Sequence, residues 1–203
     1  MEKKIATILS WIFHPLFLPT YTYILLLNLN SYLSLSVPYE QKWSVSGFVS
    51  LITAALPALI NYLFLKRGII KSLMMESRQE RLLPYLVSAG CFYLTAYMAN
   101  ILQLPAIFYL FSLGSTLLAL MAVFLTFYLK VSIHMIAMGG VTGTFLALSI
   151  RWQLDILMIL VILFLLSGLL AYARLKLKTH TQAEIYSGYI TGFGVMMLLF
   201  LLI

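Results

Sequence analysis

The chain has 203 residues, of which 63% are hydrophobic and 9% charged, with a formal net charge of +7. Soluble domains carry about 25% charged residues, so this composition excludes one and leaves an all-α, polytopic membrane helix bundle, a single membrane domain over 1–203. The basic residues sit in short loops without forming a continuous basic face, which makes membrane lipid headgroups the expected partners and excludes nucleic acid. Cys91 is the only cysteine, so neither a disulfide framework nor a thiolate metal site is available.

Apolar runs of about 20 residues mark spanning helices. The first is expected over 10–30, with Pro15 and Pro19 bending its first turns. Lys3 and Lys4 precede it as they would in a signal peptide, but no small-residue cleavage site follows. A second span is expected over 44–65, followed over 66–81 by a polar loop or a short helix on the membrane surface. Five more follow over 85–102, 105–129, 131–150, 153–173 and 185–203, giving about seven transmembrane helices with short connections. Trp11, Trp43 and Trp152 fall at span ends, where an indole is expected. One side then holds Lys3, Lys4, Lys66, Arg67, Lys71, Arg78, Arg81, Lys130, Arg174, Lys176 and Lys178, and the other holds Lys42 and Arg151. The rich side, with the N-terminus, is expected in the cytoplasm of a multi-pass cell-membrane protein.

An even number of helices separates three polar segments, so they share that face. The loop before the third helix carries Lys71, Arg78 and Arg81; the start of the fifth carries Lys130, Ser132 and His134; the last loop carries Arg174, His180 and Glu184. An Arg or Asp at the centre of a span costs roughly 2.5 to 3.5 kcal/mol, so such a cluster belongs at an interface or in a wet cavity and marks a functional site. Several cations, two imidazoles and a carboxylate suit a phosphoryl group: charges for its oxygens, a nucleophile, and an acid for the leaving oxygen. His14 lies a few residues inside the same face, within reach of the pocket. Each has a plainer reading, since a histidine beside lysines at a membrane edge is usually an interfacial residue, and Lys66, Arg67, Lys176 and Lys178 need only set topology. His180 and Glu184, four apart, with His134 or His14 as third ligand, are the alternative of a metal site. Gly139, Gly140 and Gly143 follow His134, and Gly188, Gly192 and Gly194 follow His180. Small residues at that spacing predict close packing of the fifth and seventh helices, which would set the two imidazoles across a gap sized for phosphate.

Arg174, His180 and Glu184 follow the spacing of the third motif of the type-2 phosphatidic acid phosphatase superfamily, which the chain resembles over 71–194, with two extra helices before that core. That motif reads Ser-Arg, five residues, His, three residues, Asp; here Ala173 replaces Ser and Glu184 replaces Asp. Ser132-Ile133-His134 matches the second motif, Pro-Ser-Gly-His, apart from Ile133. Lys71 and Arg78 match the first, Lys, six residues, Arg-Pro, with Gln79 in place of proline. The resemblance implies hydrolysis of a lipid phosphate monoester or diphosphate through a phosphohistidine, with no metal and no cofactor. It makes His180 the nucleophile, Glu184 the residue orienting its ring, and His134 the acid for the leaving oxygen. Lys71, Arg78, Arg174 and Ser132 would bind the phosphate, with Arg81, Lys130 and His14 as further candidates. The rival reading is a catalytically inactive descendant of the same fold that binds or moves a lipid phosphate.

Overall fold

The computed structural model describes residues 1–29, 31–72, 78–128 and 130–202. Among the described residues every regular element is a helix: α1 (Glu2–Ile12), α2 (Leu18–Asn28), α3 (Tyr32–Leu35), α4 (Tyr39–Lys66), α5 (Arg78–Ile101), α6 (Ala106–Tyr128), α7 (Ile133–Trp152), α8 (Leu157–Lys176) and α9 (Gln182–Leu202). The six from α4 to α9 are long and apolar enough to cross a membrane, the pattern of a multi-pass helical protein.

In place of the first expected span, 10–30, stand the two short helices α1 and α2. Proline lacks an N–H and drives the residue before it out of the helical region, so His14-Pro15 ends α1, whose last turn closes with Phe13 N–H donating to the Leu9 carbonyl at 3.0 Å. The chain resumes as helix at Leu18, where Pro19 sits in the first turn and costs no intrahelical hydrogen bond. At 11 residues, α1 is about 16 Å long, roughly half the thickness of a hydrocarbon core.

Two later elements outrun their expected bounds. The second helix runs over Tyr39–Lys66 rather than 44–65, and takes up Pro57 by a π turn at Leu51–Ala55. That widening gives the carbonyl before the proline ring room it would lack in a regular α-helix. Helix α5 starts at Arg78 rather than at 85, carrying Pro84 inside it. Residues 73–77 of the expected surface segment lie outside the described residues.

The chain packs as two units, Met1–Leu18 with Leu129–Ile203, and Pro19–Tyr128. In the second, Tyr23 is fully buried, donates to the Phe108 carbonyl at 3.0 Å and accepts from Ser112 Oγ at 2.7 Å. Thr20 and Thr53, 3.2 Å apart, tie α2 to α4, and Ala89, Phe92 and Ala119 join α5 to α6.

In the first unit α7 and α9 approach so closely that their backbones touch. A methyl built on Gly192 would overlap the Ile136 carbonyl, one on Gly139 the Tyr189 carbonyl, and one on Gly143 the Phe193 carbonyl. Gly194 has open space around it and takes no part. Helix α8 joins through Thr142 and Ser167, whose hydroxyls are 3.3 Å apart. Helix α1 packs its small side, Ala6 and Ser10, inward.

Candidate functional site

The last loop is shaped by a capping box that opens α9. Thr181 Oγ1 accepts from the Glu184 N–H at 3.3 Å, and Glu184 Oε2 accepts from the Thr181 N–H at 3.3 Å, so two otherwise orphaned donors are satisfied reciprocally. The same oxygen, Oε2, lies 2.8 Å from His180 Nδ1. Nδ1 therefore carries the hydrogen and the lone pair stands on Nε2. With its side chain 7% exposed, His180 is held below the usual imidazole pKa, first by burial; the hydrogen bond to Glu184 opposes this, and the charges of Arg174 and Lys130 reinforce it. A neutral imidazole with a free Nε2 and a carboxylate behind Nδ1 is the arrangement of an activated nitrogen nucleophile.

The start of α7 is fastened to the start of α9 by Ser132 N–H donating to the Glu184 carbonyl at 3.2 Å. Gly188 allows this, because a methyl there would stand 2.9 Å from the Ser132 carbonyl. Ser132 is 0% exposed, and its hydroxyl has no hydrogen-bond partner in the protein. Two residues on, His134 is 8% exposed. Its Nε2 lies 3.2 Å from the Ser10 carbonyl, which can only accept, so Nε2 donates and Nδ1 is the nitrogen left available. That Nδ1 is also buried without a partner. Buried polar atoms without partners are rare in folded proteins and call for an explanation.

The N-terminal segment completes the cluster. The His14 ring stands edge-on to His134, with centroids 5.5 Å apart, and stacks against Trp11. The Leu16 N–H donates to His14 Nδ1 at 3.4 Å, which fixes that ring's tautomer as well. Arg174, half-buried near the end of α8, sits where its charge acts on both His180 and His14. Lys130 is exposed beside the start of α7.

One end of the first unit thus gathers His180, Glu184, Ser132, His134, Arg174, Lys130 and His14. Lys71, Arg78 and Arg81 belong to the other unit: Lys71 is exposed after α4, and Arg78 and Arg81 lie in the first turn of α5. Among the described residues no three of His, Cys, Asp and Glu gather as a metal site. Two participants escape the sequence reading. Thr181 was legible as the first residue of Thr-x-x-Glu before an apolar run. Ser10 acts through its backbone carbonyl, for which side-chain chemistry gives no signal. The chain matches no family model, no curated protein and no solved structure.

Proposed function

We propose that the protein is an integral membrane phosphatase that hydrolyses a lipid phosphate monoester or diphosphate through a phosphohistidine. The observation that carries the reading is the 2.8 Å contact of His180 Nδ1 with Glu184 Oε2, set beside Arg174 and the partnerless Ser132 hydroxyl at the end of an apolar bundle. His180 Nε2 attacks phosphorus and the bond to the lipid oxygen breaks. His134, protonated at Nδ1 while Nε2 stays on the Ser10 carbonyl, gives its Nδ1 proton to the leaving oxygen. Neutral His134 then takes a proton from water, the resulting hydroxide attacks the phosphohistidine, and phosphate leaves with His180 neutral again. Arg174 and Lys130 neutralise the phosphoryl oxygens, the Ser132 hydroxyl donates to one of them, and the lipid tail stays among the helices. Glu184 carries the charge that stabilises the His180 imidazolium as it forms.

The second reading, an inactive binder or carrier of a lipid phosphate, has its own support. Glu184 already has a structural task in the capping box, and Ile133 fills the position where a glycine would let phosphate approach the backbone. Phosphoenzyme trapping separates the two. Purified protein mixed with radiolabelled lipid phosphates should yield an acid-labile, base-stable phosphohistidine and release phosphate. His180→Ala should form no phosphoenzyme, and His134→Ala should slow turnover by about 10² to 10⁴, less for substrates with good leaving groups. Equal phosphate release by His180→Ala and wild type on every ester would end the phosphatase reading.

A further inference from the structure

The groups assigned to chemistry are shut in. Ser132 is 0% and His134 8% exposed, and the His180 side chain is 7% exposed. A phosphate that touches all three needs one of the elements around them to move. Helices α7 and α9 cannot part, because their backbones are in contact along four glycine positions and are joined by the Ser132–Glu184 hydrogen bond. Helix α1 is held quite differently: it packs on α8 while burying only Ala6 and Ser10, and two polar contacts anchor its ends. At one end Glu2 makes an ion pair with Lys176, the last residue of α8, and both side chains reach solvent, at 65% and 37% exposure. At the other end the Ser10 carbonyl takes the His134 hydrogen bond. Both anchors lie at the end of the unit where α8 finishes and α7 and α9 begin.

Its outward side is built for a different resting place. Ile5, Ile8, Trp11 and Ile12 are all exposed, spaced three and four apart on one stripe, while Lys3 and Lys4 stand exposed at the helix start. A short helix with an apolar stripe, an indole and flanking lysines is stable lying in the headgroup region of a bilayer. It therefore loses little apolar burial on leaving the bundle.

We infer that α1 is a lid, closed over His134 in this structure by the Glu2–Lys176 ion pair and the Ser10 carbonyl, which swings into the membrane interface to admit the phosphate to His134 and to Ser132 two residues before it. The inference rests on the functional reading above for what is admitted, but the motion itself can be read without turnover. Opening frees His134 Nε2 and clears the approach to Ser132 beside it; closing restores the tautomer that leaves Nδ1 for catalysis.

The test uses the full chain in nanodiscs with Cys91→Ser and Ser132→Cys, a near-isosteric thiol reporter, labelled with a water-soluble maleimide. Exposed ion pairs contribute modestly, so Glu2→Lys should speed labelling by about two- to tenfold at low salt. The exchange of charges, Glu2→Lys with Lys176→Glu, should return it to the slow rate. As a second readout that spares Ser132, carbethoxylation of His134 by diethylpyrocarbonate, followed by mass spectrometry, should change in the same order. Labelling that is indifferent to Glu2→Lys in both readouts, or faster labelling that the exchanged pair fails to reverse, would overturn the lid. Phosphate release is measured in parallel on the same charge variants carrying Ser132. A labelling rate that follows the ion pair while no variant releases phosphate keeps the lid and removes the phosphatase. Release without any change in accessibility does the reverse.

Discussion

Adding one methyl group at Gly192 should do more damage than any other single-carbon change in the first unit. A Cβ there would overlap the Ile136 carbonyl and stand 2.8 Å from both the Ile136 carbonyl carbon and the Gly140 nitrogen. Every atom it meets is backbone, so no side chain can rotate away, and α7 and α9 must separate by about 1 Å or more along a packed interface. Overpacking of this kind costs about 1 to 3 kcal/mol, and the absence of a compliant neighbour puts Gly192→Ala near the upper figure, about 100-fold in the folding equilibrium. Gly194→Ala is the control within the same helix, because nothing lies near its Cβ and alanine is favoured over glycine in a helix by roughly 0.5 to 1 kcal/mol. Unfolding of both variants and wild type in mixed micelles, titrated with denaturing detergent, should place Gly192→Ala well below wild type and Gly194→Ala at or above it. The separation should also pull apart the Ser132–Glu184 joint, so the site is lost before the helices are. Coincident midpoints for the two variants would refute the claim that the α7–α9 contact holds the unit together.

Glu184→Gln should keep the fold, since glutamine serves in a capping box as glutamate does, yet lower turnover by about 10² or more by removing the carboxylate that fixes the His180 tautomer; near-wild-type turnover would return Glu184 to a purely capping role. The acid limb of the pH–rate profile should lie below about 6.5, the ordinary imidazole value, because burial lowers the His180 pKa and the nucleophile is lost only as pH falls through that lowered value. Glu184 raises that pKa, so Glu184→Gln should move the limb to still lower pH, and a shift upward would contradict the assignment. Activity should survive chelators and be inhibited by vanadate; stoichiometric zinc in the purified protein, with loss of activity on chelation, would favour the His180–Glu184 metal alternative.

The sequence carried the α7–α9 contact and the His180–Glu184 pair because both depend on short, fixed spacing. Small residues four apart share one side of a helix, and a histidine just before an N-cap reaches the third helical residue whatever else the fold does. The N-terminal segment was misread for a related reason. Hydropathy from Ile8 to Leu29 runs as an apolar stretch of spanning length in which two prolines need only bend a helix, whereas His14-Pro15 stops the helix altogether. Helix α5 is expected from 85, where the apolar run begins, whereas it opens at Arg78 among charged residues and carries Pro84 within it. The Ser10 carbonyl, which chooses the reactive nitrogen of His134, is backbone brought from 124 positions away. No local pattern encodes such a contact.

The closed position of α1 also bears on which side of the membrane the site faces. The sequence count of basic residues assumed that a helix crosses over 10–30, and misplacing one crossing before Lys71 inverts its answer. Within the first unit that assumption is unnecessary, because Glu2–Lys176 and Ser10–His134 fix α1 at a known end. Lys3, Lys4, Lys130, Arg174, Lys176 and Lys178 gather at that end, and only Arg151 stands at the other. Setting aside Lys130 and Arg174 as phosphate ligands leaves four against one, and short loops rich in Lys and Arg stay in the cytoplasm. On that count we propose that the site opens to the cytoplasm. Single cysteines at Ala183, exposed in the first turn of α9, and at Asp155, exposed before α8, placed in a Cys91→Ser background, test this with a membrane-impermeant thiol reagent on intact cells. Asp155→Cys should label at once and Ala183→Cys only after the membrane is permeabilised. The opposite order would put the site outside, and would mean that the basic residues around it are kept for phosphate rather than for topology.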